Sequence, residues 1–312
     1  MSTRRCVVML LLRRRRVLLL ALALLLFFTS FWLPQGGTGG CGTAWQPCLM
    51  SGRQTVEPPL VPEEWAGPGG APPPIQHCPG QQFQTRFLLR FLKSSLEDED
   101  DVLLEPYLQS WDQLLNFMES LGTMVSFFSQ KVKEKVVLIR QLSLQRPLVA
   151  DGKQAGGPGP GPGPGPGGSN TEYRSLRSMM AAELKAGLVG FSRRTDSGCR
   201  TLLRLHRSLL WLKLLLDGLA EGPDGDGRYR SPGELSRDAY QVALAPHHPW
   251  VLRQAAELVF LALPERRHFL RLVCVTEQRE ATPILRVIIH ALAQVHGRTQ
   301  RILAEQGMLA LP

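Results

Sequence analysis

The stretch Asp196–Leu216, DSGCRTLLRLHRSLLWLKLLL, decides how the rest of the chain is read. Leu202, Leu205, Leu209, Leu212 and Leu216 recur at spacings of three and four, and no Pro or Gly follows Gly198, so the pattern predicts a helix. Asp196 or Ser197 can cap its start. Arg200, Arg204, Arg207 and Trp211 fall at spacings of four, three and four and form a second stripe, while Leu203, Leu210, Leu214 and Leu215 add apolar surface. A helix this apolar is mostly buried. Its arginines must therefore lie at a surface edge or look into a polar pocket, because a buried guanidinium without an anion is costly. The planar guanidinium fork suits a phosphate or a carboxylate. The plainer alternative is an arginine row at the rim of a buried helix, paired with the protein's own carboxylates.

Working outward, the 312-residue chain has a formal net charge of +9, which favours anionic partners such as phospholipid surfaces or phosphorylated ligands. No interleaved basic and aromatic pattern or zinc-finger spacing points to nucleic acid. The six cysteines, Cys6, Cys41, Cys48, Cys78, Cys199 and Cys274, contain no CxxC pair, so neither a metal nor any other cofactor is expected. They are also too sparse to read as a disulfide framework. Cys199 and Cys274 lie in apolar helical sequence and read as core filler, and the redox compartment stays open.

Residues 1–34 read as a targeting segment, in which Arg13–Arg16 precede the uncharged run Val17–Leu33. That run is longer than a usual secretory core and shorter than a full span, and no A-x-A site follows it. An uncleaved signal anchor is favoured over a cleaved signal peptide. Its cationic flank would hold the N-terminus in the cytosol and place the remainder in the lumen or outside the cell. Residues 35–81, rich in Gly and Pro, read as a disordered stalk. Residues 82–312 read as one all-α domain of about eight helices, interrupted over 151–170 by a flexible insertion containing GGPGPGPGPGPGG. Helices are expected from Phe83, over Leu103–Leu121, Met124–Leu144 and Tyr173–Phe191, in the central stretch, and over Pro232–Ala243, Val251–Leu263, Glu265–Val275 and Pro283–Gln306. The acidic run Glu97–Asp101 reads as a solvated connection.

Several long segments carry a resemblance. They are VLLEPYLQSWDQLLNFMESLGTMVSFFSQKVKEK (102–135), YRSLRSMMAAEL (173–184), the central helix, HHPWVLRQAAELVFLALPERRHFL (247–270) and the final LALP. In this order they resemble the glycolipid transfer protein family, and within it the branch that carries ceramide 1-phosphate. The resemblance implies a two-layer helical sandwich with a surface site for a sphingolipid headgroup and an apolar pocket between the layers for its chains. It implies headgroup contacts at Lys135, Arg200, Arg204 and His248. Arg204 favours a phosphate headgroup, because glycolipid-specific members place a Trp there. His248 takes the place of a histidine that bonds the ceramide carbonyl. The resemblance also implies a domain on the cytosolic face of membranes, opposite to the lumenal or extracellular side that the anchor implies.

One position departs from that pattern. The family has an Asp four residues before the position of Lys135, accepting the ceramide amide hydrogen; here Lys131 stands there, and a lysine only donates. Lys131 thus becomes a possible additional contact to the phosphate. The chain shows no GxSxG elbow, P-loop or HExxH, so no catalytic activity is expected. The expected function is binding or non-vesicular transfer of ceramide 1-phosphate or a similar anionic lipid at membrane surfaces. The alternative is a tethered helical interaction protein with a degenerate pocket. Arg207 reads as structural, Trp111, Trp211 and Trp250 read as core, and His206, His290 and His296 as ordinary helix residues.

Overall fold

The computed structural model describes residues 75–151 and 171–312. The expected anchor, most of the stalk and residues 152–170 of the insertion lie outside the described residues. Nine α-helices run among those described: α1 (Thr85–Ser95), α2 (Leu104–Glu119), α3 (Thr123–Asp151), α4 (Leu176–Lys185), α5 (Gly198–Ala220), α6 (Pro232–Ala243), α7 (Trp250–Leu261), α8 (Arg266–Leu272) and α9 (Gln278–Glu305). Short 3-10 turns cover Thr171–Tyr173, Ala245–His247 and Met308–Ala310. No strand occurs among the described residues, and the only β-type pairing there is a bridge between Leu103 and Ser175. The architecture is the all-α two-layer sandwich.

The central helix is α5, which packs against α3, α4, α6 and α9. Leu202, Leu205, Leu209, Leu212 and Leu216, the stripe read from sequence, are all buried. Of the two candidate caps Ser197 is used; its hydroxyl accepts from the Arg200 backbone N–H. A second cap was invisible in the pattern. Glu183, at the end of α4, is fully buried and accepts from the backbone N–H groups of Gly198 (2.7 Å) and Cys199 (2.9 Å) and from the Tyr173 hydroxyl (2.8 Å). The carboxylate sits where the helix N-terminus carries partial positive charge and leaves backbone donors unmet. Gly198 permits this approach, since a Cβ there would lie 2.9 Å from Glu183 Oε1.

Helix ends depart from expectation for local reasons. The predicted 173–191 helix shortens to α4, whose start is set by a Ser175–Ser178 capping box. Helix α9 begins at Gln278 rather than Pro283, and Gln278 donates to the Leu219 carbonyl at the end of α5. The acidic run is not wholly solvated: Asp101 is buried and accepts from the N–H groups of Val102 and Arg177.

Two further readings are corrected. Trp250 is not core; it is 63% exposed at the start of α7, while Trp111 is buried and Trp211 packs against both apolar clusters. Cys274 is not core filler but is bonded to Cys78 across 196 positions of sequence, with Cα atoms 5.6 Å apart. Cys199 is buried in the core, as read. Packing also begins ahead of residue 82, because Cys78 is buried and Ile75 lies against the core.

Candidate functional site

The arginine stripe of α5 divides by burial. Arg200 is only 6% exposed, and its guanidinium is held by main-chain oxygens: Nε donates to Pro312 O and Nη1 to Thr195 O at 3.2 Å. Asp196, which is exposed, lies 4.0 Å from Nη1. Arg207 donates to Leu309 O at 3.0 Å. The segment Met308–Pro312 thus runs along the stripe, fixed by buried Met308 and Leu311. One turn from Arg200, Arg204 is exposed and makes no side-chain hydrogen bond or ion pair among the described residues.

Lys135, on α3, faces the stripe. Its ammonium is half-buried and donates to the Lys131 carbonyl at 2.6 Å. Burial, then the charges of Arg204 and Lys131 working against Glu134, bring its pKa from 10.5 down to about 8. Arg204 is likewise lowered, by burial first and then by Arg200 and Arg194, with Asp196 opposing. Lys131 turns its side chain to Glu134, 2.9 Å away, on the exposed side of the helix.

His248 arrives from the turn between α6 and α7. Its Nδ1 lies 2.9 Å from the hydroxyl of Tyr240, whose ring packs edge-on against Phe260. When that hydroxyl donates, the neutral ring keeps its proton on Nε2 and offers a donor. Burial, then His247, Lys135, Arg253 and Arg204, push its pKa below the ordinary value. Of the residues chosen from sequence, Lys135, Arg200 and Arg204 thus form one cationic cluster, and the neutral imidazole of His248 lies within reach of their charge. Such a cluster is costly without an anion and suits a tetrahedral oxyanion such as a phosphate.

Farther along α5 lies an apolar pocket. Leu212, Leu216 and Leu219 of α5 face Leu88, Leu114 and Phe117, with Leu285 and Ile288 of α9 and Phe83, Phe269 and Val273 closing it. The free space is about 10 Å³, room for about one water, so a long chain enters only as these side chains part. A roomier open groove of about 740 Å³ between α5, α6 and α9 is bordered by Lys213, Asp217, Arg230 and Asp238, and by none of Lys135, Arg200, Arg204 and His248. Among the described residues no group of three His, Cys, Asp or Glu could hold a metal.

Beside His248, α7 exposes Trp250, Val251, Leu252, Leu258 and Leu261, the last 76% exposed. Phe191 is exposed next to Arg193 and Arg194 in the loop before α5. Among the described residues no helix is long and apolar enough to cross a membrane.

A helical sandwich with a cationic cluster at one end of its central helix and an apolar compartment along that helix is built for an amphiphilic anion. Residues 102–275 match the family described as Glycolipid transfer protein (GLTP). The chain belongs to the glycolipid transfer protein family. It is 36% identical over 233 residues to the human ceramide-1-phosphate transfer protein, covering 74% of this chain and 97% of the relative. The fold matches the crystal structure of that human protein in complex with 12:0 ceramide 1-phosphate, with TM-score 0.61, 35% identity, and coverage of 73% of this chain and 98% of the other. It also matches the apo form of the mouse protein, with TM-score 0.60, 33% identity and the same coverage.

Proposed function

We propose that the protein binds a phosphorylated sphingolipid, ceramide 1-phosphate, and moves it between membranes without chemical change. The observation that carries this reading is the meeting of Lys135, Arg200, Arg204 and His248 at one end of α5, with the apolar pocket farther along the same helix. In this reading Arg204 and Lys135 take the phosphate, Arg200 offers its remaining Nη donors, and His248 bonds the amide carbonyl. Charge-assisted hydrogen bonds hold the headgroup. Burying the chains contributes about 0.8 kcal/mol per methylene. Lys131, paired with Glu134, adds positive field rather than an acceptor for the amide hydrogen. The headgroup is therefore read mainly through its phosphate.

The exposed apolar face of α7, with Phe191 and the neighbouring arginines, docks on an anionic membrane surface in this scheme. We place the domain on the lumenal or extracellular side of a membrane, tethered by the N-terminal segment. The Cys78–Cys274 bond supports this, since disulfides persist in oxidising compartments, as does the cationic block ahead of the apolar run. Protease protection of a C-terminal tag in sealed microsomes tests the placement; a digested tag excludes it.

The function is tested by extraction of fluorescent ceramide 1-phosphate from vesicles by the full chain, alongside a glycosylceramide and phosphatidic acid. Ceramide 1-phosphate is expected to be extracted and the glycosylceramide left behind. Arg204→Leu is expected to lose at least tenfold in affinity, as removal of a charge-assisted contact of about 1.5–3 kcal/mol implies. Extraction undiminished by Arg204→Leu refutes the site.

A further inference from the structure

The Cys78–Cys274 bond joins two segments that each contribute a residue to the lining of the apolar pocket. Val273, which lines that pocket, precedes Cys274, and Phe83, also a lining residue, follows Cys78 by five positions. Leu219, another lining residue, accepts through its carbonyl from Arg266 at the start of α8 and is fifteen residues beyond Arg204 on α5, or about 22 Å along the helix axis. Lipid chains anchored at the cationic cluster would thus end against the wall that the bond holds.

That wall consists of two short pieces, each anchored in the core by buried side chains. One is the non-helical segment ahead of α1, the other the seven-residue helix α8. The N-terminal end of α8 is well tied: Arg266 donates to Leu219 O at 2.8 Å, and His268 Nε2 lies 2.7 Å from Ser120 O. Its C-terminal end depends on Cys274. There the Cys274 N–H bonds Arg271 O (3.0 Å) and the Val275 N–H bonds Leu270 O (3.2 Å), the pattern of a Schellman helix end. The residue in the left-handed position of that motif is usually Gly; here it is Cys274, at φ 63°. A side chain there costs the backbone stability, and the covalent bond is what it gains. On the other side, Gln84 grips Cys78 through both backbone groups, at 2.9 and 2.7 Å. Apart from the cysteines, Gln81 Nε2 joins the pieces by an exposed hydrogen bond to Arg271 O, at 2.9 Å, and Phe83 lines the same pocket as Phe269 and Val273.

We infer that the Cys78–Cys274 disulfide is a specificity element, a fixed end-wall that limits the length of lipid chain the pocket accepts. The inference rests on the reading of this pocket as a lipid-chain compartment. The pocket is nearly filled as it stands, so accepting a chain moves its walls. With the bond intact, α8 and the segment before α1 move only together. With the bond open, the end of α8 can swing from its fixed start and the pocket lengthens.

The test uses the full chain and an equimolar mixture of dodecanoyl and tetracosanoyl ceramide 1-phosphate in vesicles, with bound lipid quantified by mass spectrometry. Three forms are compared: the oxidised protein, the same folded protein after phosphine reduction and thiol alkylation, and the C78S/C274S double variant. The ratio of tetracosanoyl to dodecanoyl lipid bound is expected to rise several-fold when the bond is open. An unchanged ratio in the reduced protein overturns the inference, and this arm suffices if the double variant does not fold. Absence of either lipid from the oxidised protein overturns the pocket reading as well, which sets that failure apart from an unchanged ratio.

Discussion

The imidazoles of His206 on α5 and His296 on α9 lie stacked, with ring centroids 4.0 Å apart and planes 14° from parallel. His206 is buried, its Nε2 meets Gln300 Oε1 at 2.5 Å, and neither His206 Nδ1 nor His296 Nε2 finds a partner among the described residues. Burial, then His296 and Arg207, with Gln300 opposing, bring the His206 pKa from 6.5 to about 4; burial and Lys213 lower that of His296. Because the folded pKa lies below the unfolded one, the unfolded chain binds more protons under pH 6.5. Stability is full above that pH and is lost as pH falls toward 4, by about 3 kcal/mol for His206. Denaturant midpoints measured between pH 7 and pH 4 are expected to fall accordingly. His296→Phe, which keeps a stacked ring and removes one titration, should shift the loss to lower pH; an unshifted profile would show that the pair does not set acid sensitivity.

Lys135 exposes the tension between stability and binding. Its pKa is lowered to about 8, so below that pH the fold carries a charge it disfavours. Lys135→Met is expected to raise the stability of the lipid-free protein by about 1–3 kcal/mol while weakening anionic lipid binding at least tenfold. Thermal melts and vesicle extraction on the same preparation check both halves; a variant less stable than wild type would mean that the contact to Lys131 O outweighs the burial penalty.

A pH dependence of binding follows from the same group. A bound phosphate favours protonated Lys135 and raises its pKa above 8. Affinity should therefore be flat below pH 8 and fall by up to about tenfold per unit above it, until the pKa of the complex is reached. Isothermal titration of the full chain between pH 7 and pH 9.5 measures this, and Lys135→Met should abolish the slope.

Tyr240 holds His248 through one hydrogen bond of 2.9 Å. Removing the hydroxyl with Tyr240→Phe keeps the ring packed on Phe260 and frees the imidazole. The expected loss is about 0.5–1.5 kcal/mol of stability and a several-fold weaker affinity for ceramide 1-phosphate. If His248 reads the amide carbonyl, phosphatidic acid should suffer less from this change than ceramide 1-phosphate; equal losses would remove His248 from headgroup recognition.

The buried carboxylate of Glu183 is the structural counterpart. It accepts three hydrogen bonds at the start of α5, two of them from backbone donors with no helical partner. Glu183→Gln supplies one acceptor oxygen and an amide that cannot accept. We expect a loss of about 2–3 kcal/mol and, since α5 carries Arg200 and Arg204, weaker lipid binding at temperatures where the protein is still folded. Chemical denaturation and extraction at low temperature separate the two effects.

The helical class and the core were legible because α5, α2 and α9 repeat their apolar residues at helical spacing, and each such stripe is buried. Arg200 and Arg204 stood out locally as a stripe on an apolar helix, whereas Lys135 and His248 were marked only by the family resemblance, because a lysine on an amphipathic helix and a histidine in a Pro-flanked turn carry no signal of their own. What escaped were relationships across sequence. Glu183 looked like one more acidic residue near a helix end, and nothing local tells that it caps a helix fifteen residues away. The Cys78–Cys274 pair spans 196 positions, and Cys274 sits in apolar sequence that masks a helix stop without Gly. Trp250 resembled core because exposure is not written in hydrophobicity; only the packing of α7 shows which of its faces is left over.

The clasp on Arg200 has a consequence for timing. A long arginine on a surface samples many rotamers, and a ligand that fixes it must offset that lost freedom. Here main-chain oxygens of Thr195 and Pro312, part of the fold itself, hold the guanidinium. The ordering is completed when the polypeptide folds, so an arriving anion meets donors that are already aimed. Arg204, one turn away and still untethered, is the part of the stripe that an arriving anion must itself set in order.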